Sequence, residues 1–316
     1  MKHLYILIMS LIIPVILSGQ MAFIDDPERG TLTIKDGDKN ILTYCYGDQL
    51  KEGLDPKYTR SCYIHPLYSL EGKILTQVFP PDHLHHSGIF WTWPVVKTRG
   101  QETQTWHVHL SSLRQYFKRW IKREAEGNTF ILSVENVWKL SEKEVVANEK
   151  LTLFIHPADN HGRTIDLEII LEAIGGPMEL KGTSEGNKGY GGLCLRSSPL
   201  LTGASMTTDA GQLQEDTTNA RFRWADLSTD ELGISIFVSP DHPDFPTTWL
   251  IRNSYAGIIN PSWPGLEHFV LHPGKPMCLC YRIYVHRGNV ESGQVFKAYD
   301  NFLQASPFNK NNPKMK

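Results

Sequence analysis

The chain has 316 residues, 41% of them hydrophobic, and 32 Lys and Arg set against 34 Asp and Glu give a formal net charge of −2. A near-neutral chain without basic blocks offers no electrostatic case for nucleic acid or an anionic membrane surface as partner. Its five cysteines, Cys45, Cys62, Cys194, Cys278 and Cys280, are odd in number and unevenly placed, which excludes a disulfide scaffold but leaves one bridge, Cys45–Cys62, open.

The chain starts with Lys2 and His3, then an apolar run over positions 4–17 broken only by Tyr5, Ser10 and Pro14, then Ser18-Gly19. That run is shorter than the roughly 20 residues a spanning helix needs, so 1–19 reads as a signal peptide cleaved before Gln20. It predicts export to the periplasm or beyond. No later segment is apolar enough to insert in a membrane, and 20–316 is expected to form a single β-sandwich domain.

Strand-like runs follow in order. Positions 31–35 and 40–46 flank an Asp36-Gly37-Asp38 turn, a hairpin signal. Runs at 72–79, 88–93 and 106–110 continue the series, and 117–124, 129–140, 144–156 and 164–173 make a meander with polar turns between them. In the last of these, Ile165, Leu167 and Ile169 alternate with Asp166 and Glu168, the period of a half-buried strand. Most of Glu149, Asp166, Glu168 and Glu172 are therefore expected to face solvent. Further strands read at 178–182, 191–196, 220–224, 233–239, 247–252 and 277–287, the last placing Cys278 and Cys280 on one face as small core residues. Only 290–303 has helical spacing, through Val295, Tyr299 and Phe302, with Pro307 as its stop. The pattern predicts an all-β fold, a large antiparallel sandwich with a C-terminal helix packed outside.

Three segments carry chemistry. In Asp82-His83-Leu84-His85-His86-Ser87-Gly88, three imidazoles and a carboxylate fall within five residues, and histidine is the side chain that changes charge nearest neutral pH. If extended, His83 and His85 share a face and His86 points away. Trp106-His107-Val108-His109 repeats the alternation, so His83, His85, His107 and His109 are the candidate ligands should a divalent metal be bound, although no fixed ligand spacing such as His-Glu-x-x-His is present. The second segment, Thr183 to Arg196, holds Gly186, Gly189, Gly191 and Gly192, which let backbone approach a ligand, with Glu185, Tyr190 and Arg196 around the opening. It lacks the Gly-Lys-Ser/Thr ending of a phosphate loop. The third is a proline-stiffened loop, Asp241 to Trp249, presenting His242 and Trp249, with Asn260 and Trp263 after it.

Together these segments resemble a family of exported bacterial proteins catalogued as methane oxygenase PmoA. The shared pattern is His65-Pro66-Leu67-Tyr68, then Pro80-Pro81-Asp82-His83-x-His85-His86-x-Gly88, Glu185-Gly186 through Tyr190-Gly191-Gly192-Leu193 to Arg196, and His242-Pro243-x-x-Pro246-Thr247-x-Trp249 leading to Asn260-Pro261. Ser87 departs from it, standing where the family is expected to carry arginine. The catalogue name does not suit this chain, since the methane oxygenase subunit is a multi-helix membrane protein and no spanning segment follows the leader. The resemblance implies a galactose-mutarotase-like β-sandwich and a role in glycan breakdown.

The expected function is that of an exported carbohydrate-active enzyme on such a sandwich, most directly cleaving glycosidic bonds by histidine-led acid/base chemistry. The catalytic candidates are His85, His86, Glu185 and His242. The substrate-binding candidates are His83, Tyr190, Arg196, Trp249, Asn260 and Trp263. The expected partner is a carbohydrate, with either no cofactor or a divalent metal. Mutarotation or epimerisation is the neighbouring alternative, and a non-catalytic glycan-binding protein is the alternative from another class.

Overall fold

Alternation along the strands decides the layering. In the computed structural model, which describes residues 21–254 and 257–304, Ile165, Leu167, Ile169 and Leu171 of the Gly162–Ala173 strand are all fully buried in one core. The signal-peptide reading of 1–19 and the stop at Pro307 lie outside the described residues.

Two nine-stranded sheets enclose that core. The first runs, in hydrogen-bonded order, Met21–Asp26, Thr31–Asp36, Lys39–Cys45, Tyr63–Leu67, Ile89–Thr92, Gly192–Arg196, Ile258–Ser262, Thr247–Arg252 and Thr217–Phe222. The second runs Gly211–Leu213, Ser205–Thr208, Trp224–Ser228, Leu232–Val238, Met277–Arg287, Gly162–Ala173, Val145–Ile155, Thr129–Lys139 and Arg114–Glu126. A four-stranded sheet, His268–Leu271, Met178–Lys181, Val95–Thr98 and Gln101–Thr103, adjoins them. The described pairings are antiparallel, so the chain is the all-β sandwich its pattern predicts. The C-terminal helix, Val295–Gln304, presses Val295, Tyr299 and Phe302 onto Trp224, Phe237 and Cys280. Among the described residues, no helix is long and apolar enough to cross a membrane.

Several local readings are corrected. Positions 72–79 make only isolated bridges, at Ile74, Thr76 and Val78. Positions 106–110 form a 3-10 turn, Val108–Leu110, rather than a strand. The run at 220–224 divides between Thr217–Phe222 and Trp224–Ser228, which belong to different sheets. Glu149 and Asp166 are buried rather than solvent-facing. Glu149 accepts hydrogen bonds from Gln115, Asn136 and the Trp138 indole inside the sandwich, and Asp166 is covered by Arg282 and His156. All five cysteines are free. Cys45 and Cys62 cannot meet because they face opposite sides of the first sheet, Cys62 in the main core and Cys45 in a smaller cluster.

That smaller cluster positions the site. Along Ile89–Thr92 and Gly192–Arg196, residues Ile89, Trp91, Leu193 and Leu195 point into the main core. Phe90 and Cys194, opposite one another in the ladder, point the other way and join Tyr63, Trp106 and Ile258 in a second apolar cluster. Both faces of these strands are covered, which is why every residue in them is buried. Just before the first of them, Gly88 has φ +64°, and a Cβ there would lie 2.4 Å from the Ile64 carbonyl oxygen and 2.9 Å from the His65 Cβ. Gly88→Ala is therefore expected to cost roughly 2 kcal/mol or more of unfolding free energy in a urea titration; an unchanged midpoint would contradict this close approach.

Candidate functional site

The segment after Pro80-Pro81 is not extended. His83 N–H donates to the Pro80 carbonyl at 3.0 Å, His86 N–H to the His83 carbonyl at 2.9 Å, and Phe79 N–H to the His86 carbonyl at 3.0 Å. These successive tight turns replace the expected alternation and gather all three rings on one side. His83 and His86 stack 4.7 Å apart at 8°, and His85 stands edge-on 4.6 Å from His86. The turn at Val108–Leu110 brings the second histidine pair to the same place, with His107 at 4.4 Å and His109 at 6.2 Å from His85. Five imidazoles thus sit together over the outward face of the first sheet.

Aromatic and charged groups complete the cluster. Trp106 lies 5.9 Å from His86, 5.5 Å from Phe90 and 4.6 Å from Tyr190, which arrives from the glycine-rich loop. Arg196 projects from its strand so that Nη2 donates to both oxygens of Asp82, at 2.8 and 2.9 Å. Asp82 also pairs with His83 Nδ1 at 2.8 Å. Burial grades across the site: His83, His107 and Tyr190 are half-buried, while His85, His86 and Arg196 lie beneath them.

Asn260 holds the glycine-rich loop in place. Its side chain accepts from Gly191 N–H at 3.2 Å and donates to the carbonyls of Gly191 and Leu193. Its hydrogen-bonding groups are spent on backbone and on the Ser262 hydroxyl, and it is fully buried, so it supports the site rather than meeting substrate. The other nominated residues are scattered. Trp249 is fully buried in the main core with its indole N–H on the Phe222 carbonyl, and Trp263 is in the same core; neither presents a face for stacking. His242 is also on that side, bonded through Nε2 to the Tyr281 hydroxyl at 3.0 Å and edge-on to Trp263. Glu185 is exposed at the rim, paired with Lys188 at 3.1 Å, yet near enough for its charge to act on His107.

One important residue escaped the sequence reading. Arg60 is buried under the second histidine segment, where its Nη2 donates to the carbonyls of Thr105 and Trp106 and its head group lies 5.4 Å over the Phe90 ring. Nothing in Thr59-Arg60-Ser61 signals this, because its partners are backbone groups some 45 residues further on.

The electrostatics follow from burial and from the two guanidiniums. Burial pushes His85 down to about 2, with His107 and Arg60 adding to the effect. His86 is held well below its ordinary value by burial first and then by His85, His83, Arg196 and Arg60. His107 and His109 are lowered too, mainly by burial. Burial alone would raise Asp82, but the hydrogen bonds from His83 and Arg196 outweigh it and hold the carboxyl low. The deep part of the site therefore combines neutral imidazoles with cationic arginine, and the exposed Asp82 carboxylate meets Arg196 at its edge.

Tetrahedral ligands at zinc distances lie about 3.3 Å apart, and among the described residues no three of these histidines bring ligand nitrogens within 4.8 Å of one another; Glu168, Cys278 and Cys280 form the group that does.

Residues 31–300 match the model of DUF6807, a family of unknown function, so the chain belongs to that family. No curated protein matches it in sequence. Among solved structures, it is similar to a GH36 α-galactosidase from Geobacillus stearothermophilus in complex with raffinose, at 10% identity and TM-score 0.41, covering 86% of this chain and 41% of that one. The Slr1438 protein from Synechocystis sp. is similar at 10% identity and TM-score 0.41, covering 85% and 96%. An α-galactosidase from Lactobacillus brevis follows at 9% identity and TM-score 0.38, covering 87% and 40%. The chain spans about two fifths of the length of either galactosidase.

The depressed His85 has a consequence for stability. Between the ordinary imidazole value of 6.5 and about 2, the unfolded chain takes up a proton that the folded chain refuses. The stabilisation from the neutral ring is thus whole above pH 6.5 and is lost as pH falls below it. His85→Gln is expected to flatten the acid-side slope of unfolding free energy by up to about 1.4 kcal/mol per pH unit between about pH 6 and 4. Urea titrations across that range check it, and parallel slopes for variant and wild type would contradict a neutral, buried His85.

Proposed function

We propose that this member of DUF6807 is an exported carbohydrate-active enzyme whose reaction, most directly glycosidic cleavage, runs by proton transfer through the histidine cluster. The observation that carries the reading is the convergence of His83, His85, His86, His107 and His109 on Tyr190, Trp106 and the Arg196–Asp82 pair. A few convergent polar groups beside aromatic rings suit a ligand with both hydroxyls and apolar ring faces. The leader-like start of the sequence supports export.

The local acids are otherwise engaged. Asp82 is tied to Arg196 and His83, and Glu185 pairs with Lys188 at the surface. Two carboxylates flanking a glycosidic bond are therefore not the arrangement this site favours, and acid/base work falls to imidazole. His85 and His86 are the proton-transferring pair. One takes a proton from the attacking water and, charged by it, delivers that proton to the leaving glycosidic oxygen, so that the ring begins and ends neutral. His83 stacks on His86 and reaches solvent, so it is placed to exchange that proton with bulk water. Arg196 polarises a substrate oxygen.

The test is turnover on a panel of neutral and acidic glycosides. Wild type is expected to release reducing sugar from at least one of them, and the double variant His85→Ala/His86→Ala to lose at least about a hundredfold in kcat while still binding. No release from any glycoside by wild type would refute cleavage. Full turnover by the double variant would refute the catalytic assignment and leave a glycan-binding role.

A further inference from the structure

The two arginines beneath the cluster are not equivalent. Arg196 meets a carboxylate, Asp82. Arg60 is 6% exposed, and it meets two backbone carbonyls and an aromatic face. Among the described residues its Nη1 finds no hydrogen-bond partner, nor do Nε and Nη1 of Arg196 or Nδ1 of His86. A buried charged donor left without an acceptor keeps the whole penalty of losing its hydration, so such groups are rare unless a ligand meets them. Their positions are also linked. The charges of Arg60 and Arg196 both bear on His86 and on the Cys194 thiol, and Cys194 faces Phe90 across the ladder, the ring over which Arg60 lies.

A count of charge sharpens the point. The floor of the site holds two guanidiniums, the imidazoles there are neutral, and the nearby carboxylates, Asp82 on Arg196 and Glu185 on Lys188, are both exposed. A neutral hydroxyl would satisfy an N–H but leave the buried charge uncompensated, whereas an oxyanion does both, and the planar fork of guanidinium fits it closely. We propose that the substrate is a sugar bearing an anionic oxygen group, a carboxylate or a sulfate ester, seated against the unmet donors of Arg60, Arg196 and His86. This rests on the carbohydrate reading above and names its substrate class. It also gives the anion a second effect. Placed beside Arg60, whose charge bears on both rings, and Arg196, whose charge bears on His86, it offsets two of the charges that, after burial, weaken His85 and His86 as bases; the others are His83 on both, His107 and His109 on His85, and His85 on His86. Binding of the right substrate then makes the imidazoles better proton acceptors.

Small probes on the full chain test this without knowledge of the sugar. Thermal unfolding at pH 7 is followed with sodium sulfate and sodium D-glucuronate, against D-glucose and sodium chloride at matched ionic strength. Sulfate, glucuronate or both are expected to raise the midpoint saturably, by about 2 °C or more, and the one that acts distinguishes sulfate ester from carboxylate. Arg60→Met is expected to weaken that binding at least about tenfold. If this variant does not fold, the histidine ring signals of labelled wild type decide the matter, and those of His85 and His86 must move with the same saturation, with their titration shifted upward. No effect beyond matched chloride, or an equal effect of glucose, overturns the proposal. The two readings fail separately: oxyanion binding with full turnover in the double-histidine variant sinks catalysis alone, and turnover with no oxyanion effect sinks the anion site alone.

Discussion

The ion pair between Arg196 and Asp82 ties a loop to a sheet, and the geometry of the site depends on it. Arg196 ends a strand whose alternate residues pack into the main core, so its position is set by the sandwich. Asp82 begins the turns that carry His83, His85 and His86. Two bonds from one guanidinium nitrogen thus fix where the turn lies, while the bond from Asp82 to His83 fixes the first ring. Gly88 and Asn260 complete the frame. The first lets the chain leave the turn against the Ile64 carbonyl, and the second clamps the backbone on either side of Gly192.

Given that frame, the electrostatics are a consequence of depth. The same covering that lets Phe90 and Cys194 be buried on the outward face also removes water from His85, His86 and both arginines. An imidazole there prefers to be neutral, and neighbouring cations reinforce that preference. The half-buried His83 and His107 keep a path to solvent. The result is a gradient from a wet rim to a dry, positively biased floor.

How much of this the sequence discloses follows from range. The strand Gly162–Ala173 is legible from its own alternation, and so is the amphipathic helix, because period and burial are local properties. The His-rich, glycine-rich and Trp106–His109 segments are legible as chemistry, since residue type alone marks them. Their conformation is not: alternation in Trp106-His107-Val108-His109 looks the same for a strand as for the 3-10 turn observed. Trp249 and His242 are polar-tipped residues of a proline-rich segment; only the register of Thr247–Arg252 within its sheet turns Trp249 inward, and only the distant Tyr281 hydroxyl meets His242 there. Arg60 is the least legible, because its burial depends on a segment far along the chain closing over it.

The protein itself supplies the standard against which Arg60 is judged. On the second sheet, Arg282 is equally buried, and it grips both oxygens of Asp166 through Nε and Nη2 while lying 4.7 Å over Phe302. Asp226, fully buried, is met by His286, Ser228 and Ser235. Even Glu149, with no cation at hand, gathers three neutral donors. Where this fold buries charge for its own architecture, it pairs that charge. Among the described residues, the buried guanidinium nitrogens without an acceptor belong to Arg60 and Arg196, with His86, Ser87 and His109 unmet beside them, while neutral groups of Trp91, Thr92, Asn253 and Tyr299 are unmet elsewhere. A sandwich that pairs its other buried charges has left two guanidiniums partly open at one place, and that is where a ligand would complete them.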